Sequence, residues 1–294
     1  MPGPGAMLKA AWAERPIMIP GAFNALTAKV AERLGFPAVY LSGGALSAGW
    51  AGLPDIGLLT LSEFAQAASI LASATSLPVL CDADTGFGEA VNVERTVRAY
   101  ESAGAAGLHL EDQVLPKRCG HLSGKTLIEP EAMAAKVRAA VASRRDPDFV
   151  IVARTDARSA EGFAAAVNRA RLYLEAGADA IFPEALESAD EFARFAREVN
   201  APLIANMTEF GRGPLIDFAD LGAMGYRAVL YPLTAFRSAM LAAEETLADL
   251  IKTGSQRASL GRMQTRAELY DRLGYSEWED RDRTYFGDSA TRRD

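Results

Sequence analysis

The stretch FVIVARTD, residues 149–156, is an almost unbroken apolar run that ends in Arg154, Thr155 and Asp156. EGFAAAVNRARLYLEAGA (161–178) follows, alanine-rich with its apolar residues spaced for one helical face, and AIFPEA (180–185) then repeats the pattern of an apolar run with a polar end. A strand without polar alternation is covered on both faces, as in a parallel sheet flanked by helices. The same grammar extends in both directions. PIMIPGAF (16–23), PAVYLSGG (37–44), PVLCDAD (78–84), GLHLED (107–112), PLIANMT (202–208) and AVLYPL (228–233) read as further strands. NALTAKVAERLG, LSEFAQAASILAS, NVERTVRAYESAG, EPEAMAAKVRAAVAS and TAFRSAMLAAEETLADLIK read as helices. Asn24, Ser62, Asn92, Ser188 and Thr234 stand near helix starts, and Gly35, Gly104, Gly177 and Gly254 near helix ends.

Eight such units in alternation predict an α/β fold closed into a (β/α)₈ TIM-type barrel, with a doubly wound open sheet as the alternative. The expected layout is one domain over 1–294, with the barrel at about 16–252 and a C-terminal extension at about 253–294. That extension carries Leu269, Tyr270, Leu273, Tyr275 and Trp278, an aromatic set suited to packing on a second subunit. A homo-oligomer is therefore expected. At net charge −7 with its basic residues scattered, the chain is a poor partner for nucleic acid or an anionic membrane. Two cysteines far apart make no disulfide framework, and the start MPGPGAMLKAAWAERP does not read as a signal peptide. The expectation is a cytoplasmic protein.

In a parallel barrel all strands end at one rim, and chemistry gathers there. The ends here are Phe23-Asn24, Ser42-Gly43-Gly44, Asp82-Ala83-Asp84, Glu111-Asp112, Arg154-Thr155-Asp156, Glu184, Asn206-Met207-Thr208 and Pro232. Any one could be a helix cap; the set has too many carboxylates for that. Asp82 and Asp84, two apart on extended chain, face the same way. With Glu111 and Glu184 near, they call for a cation, and oxygen donors suit Mg²⁺ or Mn²⁺. Arg154, Arg237 and Arg266 are candidate forks for substrate carboxylates, and the amides of Ser42-Gly43-Gly44 a candidate anion cradle. His109, inside a strand, and Cys81, in an apolar run, read as core residues.

KRCGH (117–121) follows the fourth strand and belongs to a loop from Gln113 to about Thr126. A loop this long beside a barrel mouth suits a lid. Lys117, Arg118 and His121 surround Cys119 with positive charge, which favours thiolate and fits the thiol for proton transfer near neutrality.

YLSGG (40–44), DADTGFG (82–88), EDQ (111–113), KRCGH, ARTDA (153–157), FPEA (182–185), NMTEFG (206–211), YPLTAFR (231–237) and MQTRAELY (263–270) together resemble the isocitrate lyase/phosphoenolpyruvate mutase superfamily, most closely its methylisocitrate-cleaving branch. The resemblance spans nearly the whole chain. It implies a barrel whose last helix is swapped between subunits, a homotetramer and Mg²⁺. It also implies cleavage of 2-methylisocitrate to pyruvate and succinate, and with it a role in propionate catabolism. Asp82 and Asp84 match metal-holding positions, with Asp55 and Glu111 nearby. Ser42, Gly43, Gly44, Cys119, Gly120, Arg154, Glu184, Asn206, Met207, Thr208, Arg237 and Arg266 match substrate contacts. Cys119 is the implied proton donor, and Tyr40, Glu111, Lys117 and His121 join it as catalytic candidates. Phe182, Leu230 and Pro232 are expected to receive the extra methyl group, and Trp50 in ALSAGWAG (45–52) to influence specificity. Lyases or decarboxylases acting on dimethylmalate or oxaloacetate share much of this motif set.

Overall fold

Parallel strands pair with their neighbours in sequence throughout the computed structural model, which describes residues 2–118, 120 and 124–286. The strands are β1 (Ile17–Pro20), β2 (Val39–Leu41), β3 (Val79–Asp82), β4 (Gly107–Glu111), β5 (Val150–Thr155), β6 (Ala180–Pro183), β7 (Ile204–Asn206) and β8 (Ala228–Tyr231). One ladder runs β2-β3-β4-β5-β6 and another β1-β8-β7. Parallel bridges between Gly21 and Tyr40 and between Ile181 and Leu203 join the two ladders, so the sheet closes on itself. This is the (β/α)₈ barrel that the alternation predicts, and it removes the open-sheet alternative.

The strands are shorter than the apolar runs because their ends turn into rim loops and helix caps. Two-residue alternation divides their side chains between two cores. Ile17, Ile19, Ala38, Tyr40, Leu80, Val150, Val152, Ala180, Phe182, Ile204, Ala228 and Leu230 form the inner cluster. Val39, Leu41, Cys81, Leu108, Ile151, Ile181, Ala205 and Val229 belong to the outer one, against the helices. Cys81 is buried in that outer core, where burial pushes its thiol far up. An N-terminal helix that the sequence reading did not mark, Pro4–Glu14, adds Leu8 and Trp12 to the inner cluster.

Two caps differ from expectation. Thr60, not Ser62, caps Leu61–Ala74 in a reciprocal box with Glu63. Glu89, not Asn92, precedes Ala90–Ser102, and Asn92 reaches back to accept from the Glu89 amide. In both cases the helix starts upstream of the residue that looked like its cap. Asn24 and Ser188 cap as expected.

The chain divides into two compact units, residues 1–237 and 238–294, and the barrel strands lie in the first. Helix Thr234–Thr253 runs across that boundary. The second unit also holds the 3₁₀ turn Arg257–Arg262 and the helices Arg266–Leu273 and Tyr275–Phe286. Within it, Arg262 pairs with Glu245 at 2.8 Å, and the Tyr270 and Tyr275 rings stack at 4.7 Å. Among the described residues no helix is long and apolar enough to cross a membrane.

Candidate active site

Inward-facing alternation carries polar residues to the top of the barrel. Above Leu80 comes Asp82, above His109 comes Glu111, above Val152 comes Arg154, above Phe182 comes Glu184, and above Ile204 comes Asn206. They surround a cavity of about 60 Å³, whose polar wall includes Tyr40, Ser42, Asp55, Asp82, Arg154, Glu184, Asn206 and Thr208. Gly44, Gly120, Phe182, Leu230, Pro232 and Leu233 complete its lining.

Strand register sets the ion pairs. Glu111 is level with Arg154 across β4 and β5, and Arg154 Nη1 lies 3.3 Å from Glu111 Oε2. The same guanidinium donates from Nε to Asp156 Oδ2 at 3.0 Å and stands 3.4 Å from Glu184 Oε2. Glu184 in turn accepts from Asn206 Nδ2 at 3.1 Å and from the Ala185 amide at 2.8 Å. Asp82 is level with His109 across β3 and β4, with Nε2 3.6 Å from Asp82 Oδ1. Tyr40 places its hydroxyl 2.7 Å from that same Nε2 and 3.5 Å from Asp82 Oδ2.

Asp82 also accepts from the Gly43 amide at 3.1 Å and the Asp84 amide at 2.9 Å. A Cβ on Gly43 would stand 2.7 Å from Asp82 Oδ2, so only glycine lets the backbone come this close. Ser42 caps a helix, Gly43–Ala51, and the Gly43 amide serves an internal carboxylate. The anion cradle read from Ser42-Gly43-Gly44 is thus satisfied at Gly43 from within the chain.

Lys117 is buried, with Nζ 2.5 Å from Asp55 Oδ1 and 2.7 Å from Asp84 Oδ1. Burial by itself would lower its pKa, but Glu111, Asp84, Asp82 and Asp55 reverse that and hold it firmly charged. Burial would likewise raise the Asp82 carboxyl, yet the neighbouring His109, Lys117 and Arg154 outweigh it and hold Asp82 at about 2. Asp84 moves the other way, up to about 6, because burial and the Asp82 charge exceed the help from Lys117. Glu111 is also raised, chiefly by burial, and its Oε1 has no hydrogen-bond partner among the described residues. Burial drives His109 down to about 4, so its ring is neutral near pH 7. Burial, with the Asp82 charge, puts the Tyr40 hydroxyl well above its usual range, which keeps it protonated.

The loop after β4 is zipped at its base. The Val114 amide donates to the Thr126 carbonyl at 2.8 Å, and the Ile128 amide to the Asp112 carbonyl at 2.9 Å. Inside it, Gln113 exchanges two 2.9 Å hydrogen bonds with the Arg118 backbone. Cys119 and His121 lie outside the described residues.

The remaining candidates fall elsewhere. Met207 is buried in the outer core, its Sδ accepting from the Ile216 amide at 3.3 Å. Arg237 donates to the Glu209 carbonyl at 3.0 Å and lies over the Phe210 ring. Arg266 starts a helix of the second unit. Trp50 lines a separate apolar hollow with Phe23, Leu41 and Ile70. His109, read only as core, proves to be tied to Asp82 and Tyr40. Lys125, which the sequence reading passed over, is buried against Asp156 at 2.6 Å.

Comparisons with known proteins identify the family. Residues 8–251 match the phosphoenolpyruvate phosphomutase family. The chain belongs to the phosphoenolpyruvate mutase/isocitrate lyase superfamily. It is 53% identical over 280 residues to a 2-methylisocitrate lyase of Aeropyrum pernix, covering 95% of this chain and 90% of that one. Among solved structures, a 2,3-dimethylmalate lyase superposes with a TM-score of 0.92 at 34% identity, covering 98% of this chain and 97% of that one. An oxaloacetate acetylhydrolase, in complex with the inhibitor 3,3-difluorooxalacetate, gives 0.92 at 33% identity, with 97% and 98% covered. The chain is an enzyme, and its chemistry is that of a carbon–carbon lyase.

Proposed function

We propose that this enzyme cleaves 2-methylisocitrate to pyruvate and succinate. The observation that carries the reading is the mixed lining of the cavity, in which Arg154, Asn206 and Thr208 stand beside Phe182, Leu230 and Pro232. Such a cavity suits an acid with several carboxylates and one methyl group. The 53% identity to a 2-methylisocitrate lyase supports the same choice.

The donor set fits a divalent cation. Asp55, Asp82, Asp84, Glu111, Asp156 and Glu184 bring six carboxylates to the mouth, against the charges of Lys117, Lys125 and Arg154. Asp55 and Asp84 are already arranged around a positive charge, that of Lys117. Among the described residues no three His, Cys, Asp or Glu side chains form a closed metal cage. Asp82 and Asp84 would therefore hold Mg²⁺ with water and substrate oxygens completing its shell. When bound, the ion supplies Lewis-acid neutralisation of oxygen charge.

The chain's own residues account for the rest. Arg154 and the rim amides bind substrate carboxylates and stabilise developing charge. The hydroxyl proton goes to Tyr40 or to a carboxylate beside the metal position, Tyr40 and Asp82 both lining the cavity. Breaking the carbon–carbon bond leaves its electron pair on the succinate half as an enediolate-like carbanion, and Cys119 gives that carbon a proton.

The assay is direct: 2-methylisocitrate with and without EDTA, with pyruvate and succinate quantified, in wild type and Cys119→Ser. Cleavage that needs metal and the thiol is expected. Absence of both products rejects the substrate; undiminished Cys119→Ser turnover rejects the proton donor. The dimethylmalate lyase and oxaloacetate acetylhydrolase structures support a second reading, a related acid as substrate, and parallel assays with 2,3-dimethylmalate and oxaloacetate separate it. We also infer a helix-swapped homotetramer, because Trp278, Tyr285 and Phe286 of the second unit stand exposed. Sedimentation of the intact chain as a monomer rejects that inference.

A further inference from the structure

Lys125 has no part in the cleavage scheme above, yet its side chain is only 1% exposed. Burying a lysine costs rotamer freedom and hydration, so the charge must be met by good acceptors. Among the described residues its ammonium has two: Asp156 Oδ1 at 2.6 Å and the Gly120 carbonyl at 2.5 Å. Asp156 is a fixed post. Its amide donates to Asp112 Oδ1 at 2.9 Å, and its carboxylate also receives Arg154 Nε and Nη2 at 3.0 and 3.2 Å. Asp112 is itself held by the hydroxyls of Thr155 and Tyr173, each at 2.8 Å. The ammonium therefore links a loop carbonyl to the barrel frame.

What it links is a wall of the cavity. Gly120 lies so close to Arg154 and Glu184 that a Cβ would stand 2.6 Å from Glu184 Cγ. With no side chain, Gly120 can be anchored only through its backbone. We propose that Lys125 is a positioning residue that seats Gly120 against Arg154 and Glu184 and so sets the width of the substrate cavity. The kinetic consequence rests on the lyase reading; the seating does not.

The test compares Lys125→Met, Lys125→Arg and Asp156→Asn with wild type by hydrogen exchange and by kinetics on 2-methylisocitrate. The loop base is closed by backbone bonds at Val114 and Ile128, so the effect should stay local. Lys125→Met and Asp156→Asn are expected to speed exchange in peptides spanning Gly120 by about 10-fold or more, leaving strand peptides unchanged. kcat should fall by roughly 10–100-fold with a smaller change in KM, since misplacement by about 1 Å costs this much. Lys125→Arg should restore much of both. Unchanged exchange at Gly120, faster exchange throughout the barrel, or altered exchange with wild-type kcat would each overturn the proposal. If the wild type does not cleave 2-methylisocitrate, the lyase reading fails and the exchange comparison alone decides the seating. Should Lys125→Met not fold, Asp156→Asn and Lys125→Arg give the same reading.

Discussion

Tyr40 on β2 and His109 on β4, the strands that flank β3, meet at 2.7 Å beside the Asp82 carboxylate. His109 Nδ1 has no partner among the described residues. A proton on Nε2 leaves only a lone pair unmet there, and frees Tyr40 to donate toward Asp82 Oδ2 at 3.5 Å. The neutral ring thus stiffens Asp82 from the side without adding charge.

A pH dependence follows with a definite sign. His109 falls from 6.5 to about 4 on folding, so between these values the unfolded chain binds more protons. Its contribution is present above pH 6.5 and lost as pH falls through 4, on the order of 3 kcal/mol in all. Asp84, raised from 3.8 to about 6, acts oppositely: its contribution is present below 3.8 and lost as pH rises through 6. In metal-free wild type the two largely offset. Urea midpoints of His109→Gln between pH 7 and 4 should therefore rise relative to wild type on acidification. Parallel curves for the two proteins would refute the assignment.

Gly120→Ala puts a methyl group where Arg154 and Glu184 already stand. Neither partner can yield cheaply, since Arg154 is shared by Glu111, Asp156 and Glu184. The expected result is a loss of about 100-fold in kcat/KM, with a melting temperature within about a degree of wild type because no core residue moves. Steady-state kinetics and calorimetry on the same preparation decide it.

The barrel was legible because apolar runs and helical spacing are local properties, and FVIVARTD with its neighbours carries both. The polar ring was legible for the same reason: each strand announces its own end. What the sequence hides is register. That Asp82 sits level with His109, and Glu111 with Arg154, depends on how neighbouring strands slide past each other. His109 was therefore read as mere core. Met207 shows the converse error available to motif reading: it stands between Asn206 and Thr208, but alternation turns it into the outer core. Lys125 gave no signal at all, because a lone loop lysine looks solvated until its partners are placed.

Asp82 and Asp84 should separate under substitution. Asp82→Asn keeps one of the two acceptor oxygens, so it can serve the Gly43 amide or the Asp84 amide but not both; some stability should be lost while metal-dependent turnover drops by about 1,000-fold. Asp84→Asn removes the charge facing Lys117 and should raise the Mg²⁺ needed for half-maximal rate by roughly 10–100-fold. Metal titrations of cleavage rate, with binding followed by calorimetry, test both. A variant that reached wild-type rate at wild-type Mg²⁺ would remove that residue from the metal site.

Leu230 tests the apolar wall. It lines the cavity from β8 beside Pro232 and Leu233, buried and level with Asn206 on β7. If this wall receives the substrate methyl group, Leu230→Ala leaves a void there and weakens methyl recognition without touching Arg154 or Asp82. A methyl contributes about 1–3 kcal/mol of discrimination, so the preference for 2-methylisocitrate over isocitrate should shrink by roughly 10-fold or more. The loss should appear in relative kcat/KM, with both substrates still dependent on Mg²⁺. An unaltered preference would move the methyl pocket to another face of the cavity, with Phe182 the next side chain to truncate.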